Sequence, residues 1–179
     1  YFVHTPGIKV VIPSTPYDAK GLLISAIRDP DPVLFFEPKR IYRAIKQEVP
    51  TKSYSIPIGK ARIVQEGTDV TIISYGAMVR ECQQAIPLLK DISVELIDLR
   101  TISPMDVDAI IASVEKTGRV VVVHEAQKTC GVGAEIVALI NEHCLLHLEA
   151  PVKRVTTPDI IVPLPKLEEE YLPNENTIA

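Results

Sequence analysis

The chain has 179 residues, 46% of them apolar, enough to build a core for one ordinary domain or two small ones. Its net charge of −4 argues against a nucleic-acid role, which needs a basic face. No apolar run reaches the roughly eighteen residues of a membrane span. Three widely spaced cysteines, Cys82, Cys130 and Cys144, read as reduced thiols. They point to a cytoplasmic compartment, or to the mitochondrial matrix in a eukaryote. Tyr1-Phe-Val-His-Thr-Pro6 shows no basic segment followed by an apolar one, so no signal peptide is expected. With no initiator methionine and a C-terminal helix that is only just opening, both termini read as fragment ends.

In chain order, residues 8–12 predict a buried strand. Thr15-Pro-Tyr-Asp18 then predicts a capped helix start, and Ala19, Leu22, Leu23, Ala26 and Ile27 give that helix one apolar face. Pro30 and Pro32 stop it. Val33 to Phe36 is a second strand, apolar throughout and expected to be covered on both faces. The polar stretch from Glu37 to Pro57, with residues 48–57 as its linker proper, separates a first part, 1–47, from a second, 58–179. In the second part, strands are expected at 69–74, 94–99, 119–124 and 152–156. Helices follow Gly76, Asp106 and Gly133, with Pro87 kinking or shortening the first and Gly118 ending the second. Ser103-Pro-Met-Asp106 reads as cap, first helical position and third-position acid. Asn174 or Asn176 is expected to cap a last helix. The fold class is therefore α/β: a mostly parallel sheet flanked by helices, preceded by the tail of a second α/β domain.

The candidate sites follow from that layout. Gly131-Val-Gly133-Ala-Glu-Ile136 starts like a dinucleotide fingerprint, but Ile136 replaces the third glycine and no acidic residue closes a second strand. Small residues that let a loop pass close to the sheet are the better reading. His143 and His147 have zinc-compatible spacing but no second ligand pair, which favours a helix end. His124, beside Glu125, ends a buried strand at the edge where α/β sheets bind ligands. Position alone leaves it either a functional acid or base or a histidine that hydrogen-bonds a loop. The serines and cysteines show no nucleophile elbow and no paired base. The turn Ala26-Ile-Arg-Asp29-Pro-Asp31 sets two carboxylates beside free helix carbonyls. Such oxygen-rich turns suit hard cations, and they are also ordinary solvated turns.

Several words of the sequence resemble a known family in that family's own order. They are HTPGIKVVIPSTPYDAKGLL, DPVLFFEPKRIYR, ELIDLRTISPMD, GRVVVVHEAQ and LEAPVKRV. Together they resemble the C-terminal half of the beta subunit of thiamine-diphosphate-dependent 2-oxoacid dehydrogenases. The resemblance implies a transketolase-C-terminal-like second part and the tail of a pyrimidine-binding domain before it. It further implies an α2β2 heterotetramer with an alpha subunit and a second beta subunit. Thiamine diphosphate would lie between alpha and beta subunits, with magnesium held through the alpha subunit. The acyl product would pass to the lipoyl arm of an acyltransferase core.

The family's catalytic histidine and its cofactor-contacting acidic residue correspond to positions before residue 1. No catalytic or cofactor-binding residue is therefore assigned here, and His4 does not match that histidine. A structural potassium ion is implied at Ala26, Asp29 and Asp31, where some relatives have asparagine in place of Asp31. Glu149, in LEAP, is implied as a solvent-facing contact for the acyltransferase's subunit-binding domain. FFEPKRIYR and IPSTPYDAKGLL look closest to the branched-chain (2-oxoisovalerate) version. Pyruvate and acetoin versions, single-chain relatives such as transketolase or deoxyxylulose phosphate synthase, and a non-catalytic flavodoxin-like binding module are the alternatives.

Overall fold

The computed structural model describes residues 1–179. Strand β1 (Lys9–Val11) leads into helix α1 (Pro16–Arg28), and β2 (Val33–Phe35) follows. Thr15 caps α1, its hydroxyl accepting the Asp18 N–H at 3.1 Å, with Pro16 in the first turn. The second part holds β3 (Arg62–Gln65), β4 (Val70–Ser74), α2 (Met78–Ala85), β5 (Val94–Asp98) and β6 (Thr101–Ser103). It continues through α3 (Val107–Thr117), β7 (Val120–Gln127), α4 (Val132–Cys144), β8 (Lys153–Thr157), α5 (Glu168–Tyr171) and α6 (Glu175–Ile178). Pro87 lies in a 3-10 turn after α2, the short last turn expected of it. Gly118 adopts a left-handed φ of 65° and ends α3, and Asn174 caps α6 through a reciprocal capping box.

The main sheet runs in the order β3-β5-β4-β7-β8. It is parallel except for β3, which pairs antiparallel with β5. Alternating strand residues feed two cores. Ile73, Ile97, Val120 and Val122 pack with Ile110 and Val114 of α3 and Ile136 and Ile140 of α4. Ile72, Leu96 and Val123 pack with Met78, Val79 and Cys82 of α2 and Ile178 of α6. This two-sided burial is why the central strands are mostly apolar.

Three sequence expectations are corrected. Ser103 does not cap a helix. It is held in β6 opposite Val10 of β1, and the helix starts at Val107 with Asp106 in the cap position. The Asp106 carboxylate accepts the Ala61 N–H at 2.9 Å and lies 3.3 Å from Lys60, so it anchors the incoming chain before β3 instead of closing a helix turn. Second, Val33 to Phe35 is only half-buried, because β2 pairs with β1 alone at the end of a separate sheet ordered β2-β1-β6. Third, the structure adds two antiparallel strands that the sequence pattern does not announce, β3 and β6. Both are short, and their apolar residues are too few to show a period.

Residues 48–57 are docked along α1. The Lys20 ammonium reaches the carbonyls of Pro50 and Lys52, and Tyr54 stacks on Tyr17 with ring centroids 4.5 Å apart. Ile56 is buried over Gly21, where any side chain would collide with it.

Candidate functional site

His124 stands near the carboxyl end of β7, fully buried. Helix α4 begins directly over it. The Gly133 N–H donates to His124 Nε2 at 3.2 Å, so the imidazole is neutral with its proton on Nδ1. A Cβ on Gly133 would collide with the ring, and one on Gly131 would lie 2.9 Å from its Cε1. The two glycines thus serve close passage of a loop over the sheet, and Nε2 is already occupied. Tyr75, just after β4, stacks on the ring at 6.2 Å with planes 10° apart. Burial, with the Arg154 charge second, pushes the His124 pKa down to about 4. Burial likewise raises Tyr75, and raises the neighbouring Glu125 above the usual carboxylate range. This edge offers a packed, neutral imidazole that positions a helix start. It offers no open base.

A denser polar cluster lies where the first part meets the main sheet. Asp98 ends β5 and Asp18 lies in the first turn of α1, both without solvent exposure. Arg100 donates to Asp18 at 3.1 Å and to the Ala61 carbonyl at 2.9 Å. Arg62 of β3 touches Asp98 at 3.4 Å and Asp18 at 3.5 Å. The Ser14 hydroxyl donates to Asp98 in a short hydrogen bond. Arg100 itself has a left-handed φ of 56°, held by its N–H to the Asp98 carboxylate at 3.1 Å. Sequence reasoning missed this cluster. Its available signal was the acidic residues Glu95 and Asp98 inside an otherwise apolar buried strand, since a carboxylate there must find partners. Glu95 finds its own in Ser113 and Lys116 of α3.

Asp29 and Asp31, two of the residues where the resemblance implies a cation, follow the end of α1. The Lys9 ammonium bridges both carboxylates, 2.7 Å from Asp29 and 3.0 Å from Asp31. It holds the Asp29 carboxyl below its usual range, helped by the Asp31 N–H. The Asp29 and Asp31 side chains are therefore already matched by a cation. What remains is main-chain oxygen. Ala26 lies in the last turn of α1, and the residue four further on is Pro30, which has no N–H to offer its carbonyl.

Glu149 stands at the opposite, amino-terminal edge of the parallel sheet, just before β8. Its side chain is exposed as expected, yet it pairs with Arg119 at 2.5 Å, and its N–H donates to the Gly118 carbonyl at 2.8 Å. It lies at the other end of β7 from His124. His143 is the penultimate residue of α4, whereas His147 sits in the following 3-10 turn 4.0 Å from Glu115. No group of three or more His, Cys, Asp or Glu side chains converges as a metal site, and all three cysteines are unpaired. No helix is long and apolar enough to cross a membrane.

The family model of the transketolase C-terminal domain matches residues 59–178, and that of the transketolase pyrimidine binding domain matches residues 1–45. The pyruvate dehydrogenase E1 component subunit beta of Bacillus subtilis is 59% identical over 175 residues, covering 97% of this chain and 54% of that protein. The mitochondrial 2-oxoisovalerate dehydrogenase subunit beta of Dictyostelium discoideum is 58% identical over 177 residues, covering 97% of this chain and 48% of that protein. A solved structure titled split gene transketolase, inactive beta4 tetramer, superposes with a TM-score of 0.80 at 22% identity, over 99% of this chain and 56% of that one. At that identity the likeness concerns the fold. The chain spans about half the length of the curated relatives it matches.

Proposed function

This chain belongs to the transketolase C-terminal domain family, and from that premise we propose that it is the C-terminal part of the beta subunit of a thiamine-diphosphate-dependent 2-oxoacid dehydrogenase. The observation that carries this reading is identity of 58–59% to such beta subunits across both the pyrimidine-domain tail and the C-terminal domain. The reaction would decarboxylate a 2-oxoacid and pass the acyl group to a lipoyl arm. The partners would be an alpha subunit, a second beta subunit and an acyltransferase core.

The residues present do not fit the cofactor. The carboxyl edge of β7 is filled by His124, Gly131 and Gly133, and no carboxylate or imidazole group converges to hold a magnesium diphosphate. No step of the chemistry is therefore assigned to these residues. Thiamine diphosphate and magnesium would be held elsewhere in the assembly, by the alpha subunit and by beta-subunit residues outside this chain. The role of this chain would be to form and brace the surface against which the other parts assemble.

For the substrate, FFEPKRIYR and IPSTPYDAKGLL support the branched-chain acid. The pyruvate reading has its own support in the Bacillus relative, 59% identical. The test is carbon dioxide release by the full-length beta subunit reconstituted with its alpha subunit, thiamine diphosphate and magnesium. Pyruvate and 3-methyl-2-oxobutanoate form the two arms, and the 179-residue chain alone is the control. Release by the reconstituted pair and none by the chain alone is expected. Release by neither, or turnover by the chain alone, overturns the reading.

A monovalent cation at the end of α1 is part of the same proposal. The Ala26 and Asp29 main-chain oxygens would hold it, because Lys9 already occupies the Asp29 and Asp31 carboxylates. Glu149 would face the acyltransferase's subunit-binding domain and would have to exchange Arg119 for a basic group of that partner.

A further inference from the structure

The seam between the first part and the main sheet is closed by four charged groups with little access to water. Asp98 carries one oxygen that accepts from both Ser14 and Arg62, and a second that accepts the Arg100 N–H. The elements around it contribute Ser14 from the β1–α1 turn, Asp18 from α1, Arg62 from β3 and Arg100 from the turn after β5. We propose that Asp98 is a proton-operated switch for this seam: ionised, it holds Ser14 and Arg62 together, and protonated, it keeps Ser14 and releases Arg62.

The geometry singles out Arg62 as the group that leaves. Its contacts are long, 3.4 Å to Asp98 and 3.5 Å to Asp18. Its side chain is 29% exposed and can turn to water, whereas that of Arg100 is 12% exposed and tied by bonds of 3.1 and 2.9 Å. Asp18 is held by Arg100 at 3.1 Å and by the Thr15 hydroxyl at 2.6 Å. Two carboxylates face two guanidiniums. Removing one negative charge makes one guanidinium surplus, and the loosely held one goes. Ser14 stays because a carboxylic acid can still exchange a hydrogen bond with a hydroxyl.

Burial pushes the Asp98 carboxyl up to about 6, while Ser14 and Arg62 pull it down, Asp18 adds to the rise and the Arg100 N–H opposes it. The folded value lies above the ordinary 3.8, so between those two values the folded chain binds this proton more tightly than the unfolded chain does. The Asp98 contribution to stability therefore rises as pH falls through the folded value. Acid relieves a buried charge while loosening Arg62, and the seam changes partners without the chain unfolding.

The test is a carbon-13 NMR titration of the aspartate carboxyl carbons in the full chain, with the Arg62 side-chain N–H followed in the same samples. Asp98 should titrate with a midpoint near 6, and the Arg62 signal should move with the same midpoint. Through-bond assignment in the wild-type chain makes this independent of any variant. A midpoint below about 4.5, near that of a free aspartate, or an Arg62 signal that ignores the titration, overturns the proposal. In a second measurement Asp18→Asn removes the neighbouring like charge that adds to the rise. The midpoint should then fall by about half a unit or more, and an unchanged midpoint also overturns the proposal.

Discussion

Acid should destabilise this fold through His124, and the size of the effect follows from its burial. Above its ordinary value of 6.5 the imidazole is neutral in both the folded and unfolded chain. As pH falls, the unfolded chain takes up the proton first, because the folded value is depressed to about 4. The stability is therefore present above pH 6.5 and lost progressively as pH drops toward the folded value. A shift from 6.5 to about 4 gives a loss of roughly 2 kcal/mol between pH 7.5 and 5, and roughly 3 kcal/mol once both forms are charged. The assay is urea unfolding at the two pH values, comparing the chain with His124→Gln. Glutamine keeps an acceptor for the Gly133 N–H and does not titrate. The difference between the two proteins should shrink by about 2 kcal/mol on acidification. Other groups, Asp98 among them, cancel in that difference. Parallel curves would refute the claim that a neutral buried imidazole underlies the start of α4.

Gly133→Ala should destabilise by about 1–3 kcal/mol, since the new methyl meets the His124 ring; thermal melting measures it. Thr15→Ala should cost about 1 kcal/mol in chemical denaturation, by removing the acceptor of the Asp18 N–H. Glu149→Ala should leave the melting temperature of the chain almost unchanged, because its pair with Arg119 is exposed. In the full-length assembly the same variant should slow association with the subunit-binding domain and flatten its salt dependence; wild-type kinetics would remove Glu149 from that interface. The assembled parent should melt higher in potassium than in choline salts of equal ionic strength, and equal melting points would count against a cation on the Ala26 carbonyl.

The parts of the fold that were readable are those whose residues answer to a single period. The strands β4 and β5 and the first part of β7, up to His124, are largely buried, so their apolar runs announce them. Thr15-Pro16 and Gly118 mark helix ends by local chemistry alone. Ser103 carried the same local signal as Thr15, yet its backbone is engaged by β1, 93 positions earlier in the sequence, and tertiary pairing overrode the cap. The Asp29 and Asp31 turn was legible as a pair of carboxylates. Lys9 was not legible as their partner, because it comes from a strand twenty residues away. Asp18, Arg62, Asp98 and Arg100 escaped for the same reason: each looks like a surface charge until the fold brings them to one seam.

The pairing of β6 with β1 has a consequence for anyone wishing to take this molecule apart. A gene cut inside residues 48–57 looks natural, since it separates two recognisable modules. The strand that completes the smaller sheet is nevertheless encoded on the far side of that cut. Of the smaller sheet, a piece holding residues 1–47 would keep only the β1–β2 pair. The downstream piece would display β6 as an unsatisfied edge, open to any extended peptide. Expressed apart, the halves should be sticky; mixed, they should find each other by strand addition, so the molecule lends itself to split-protein complementation more readily than to domain dissection.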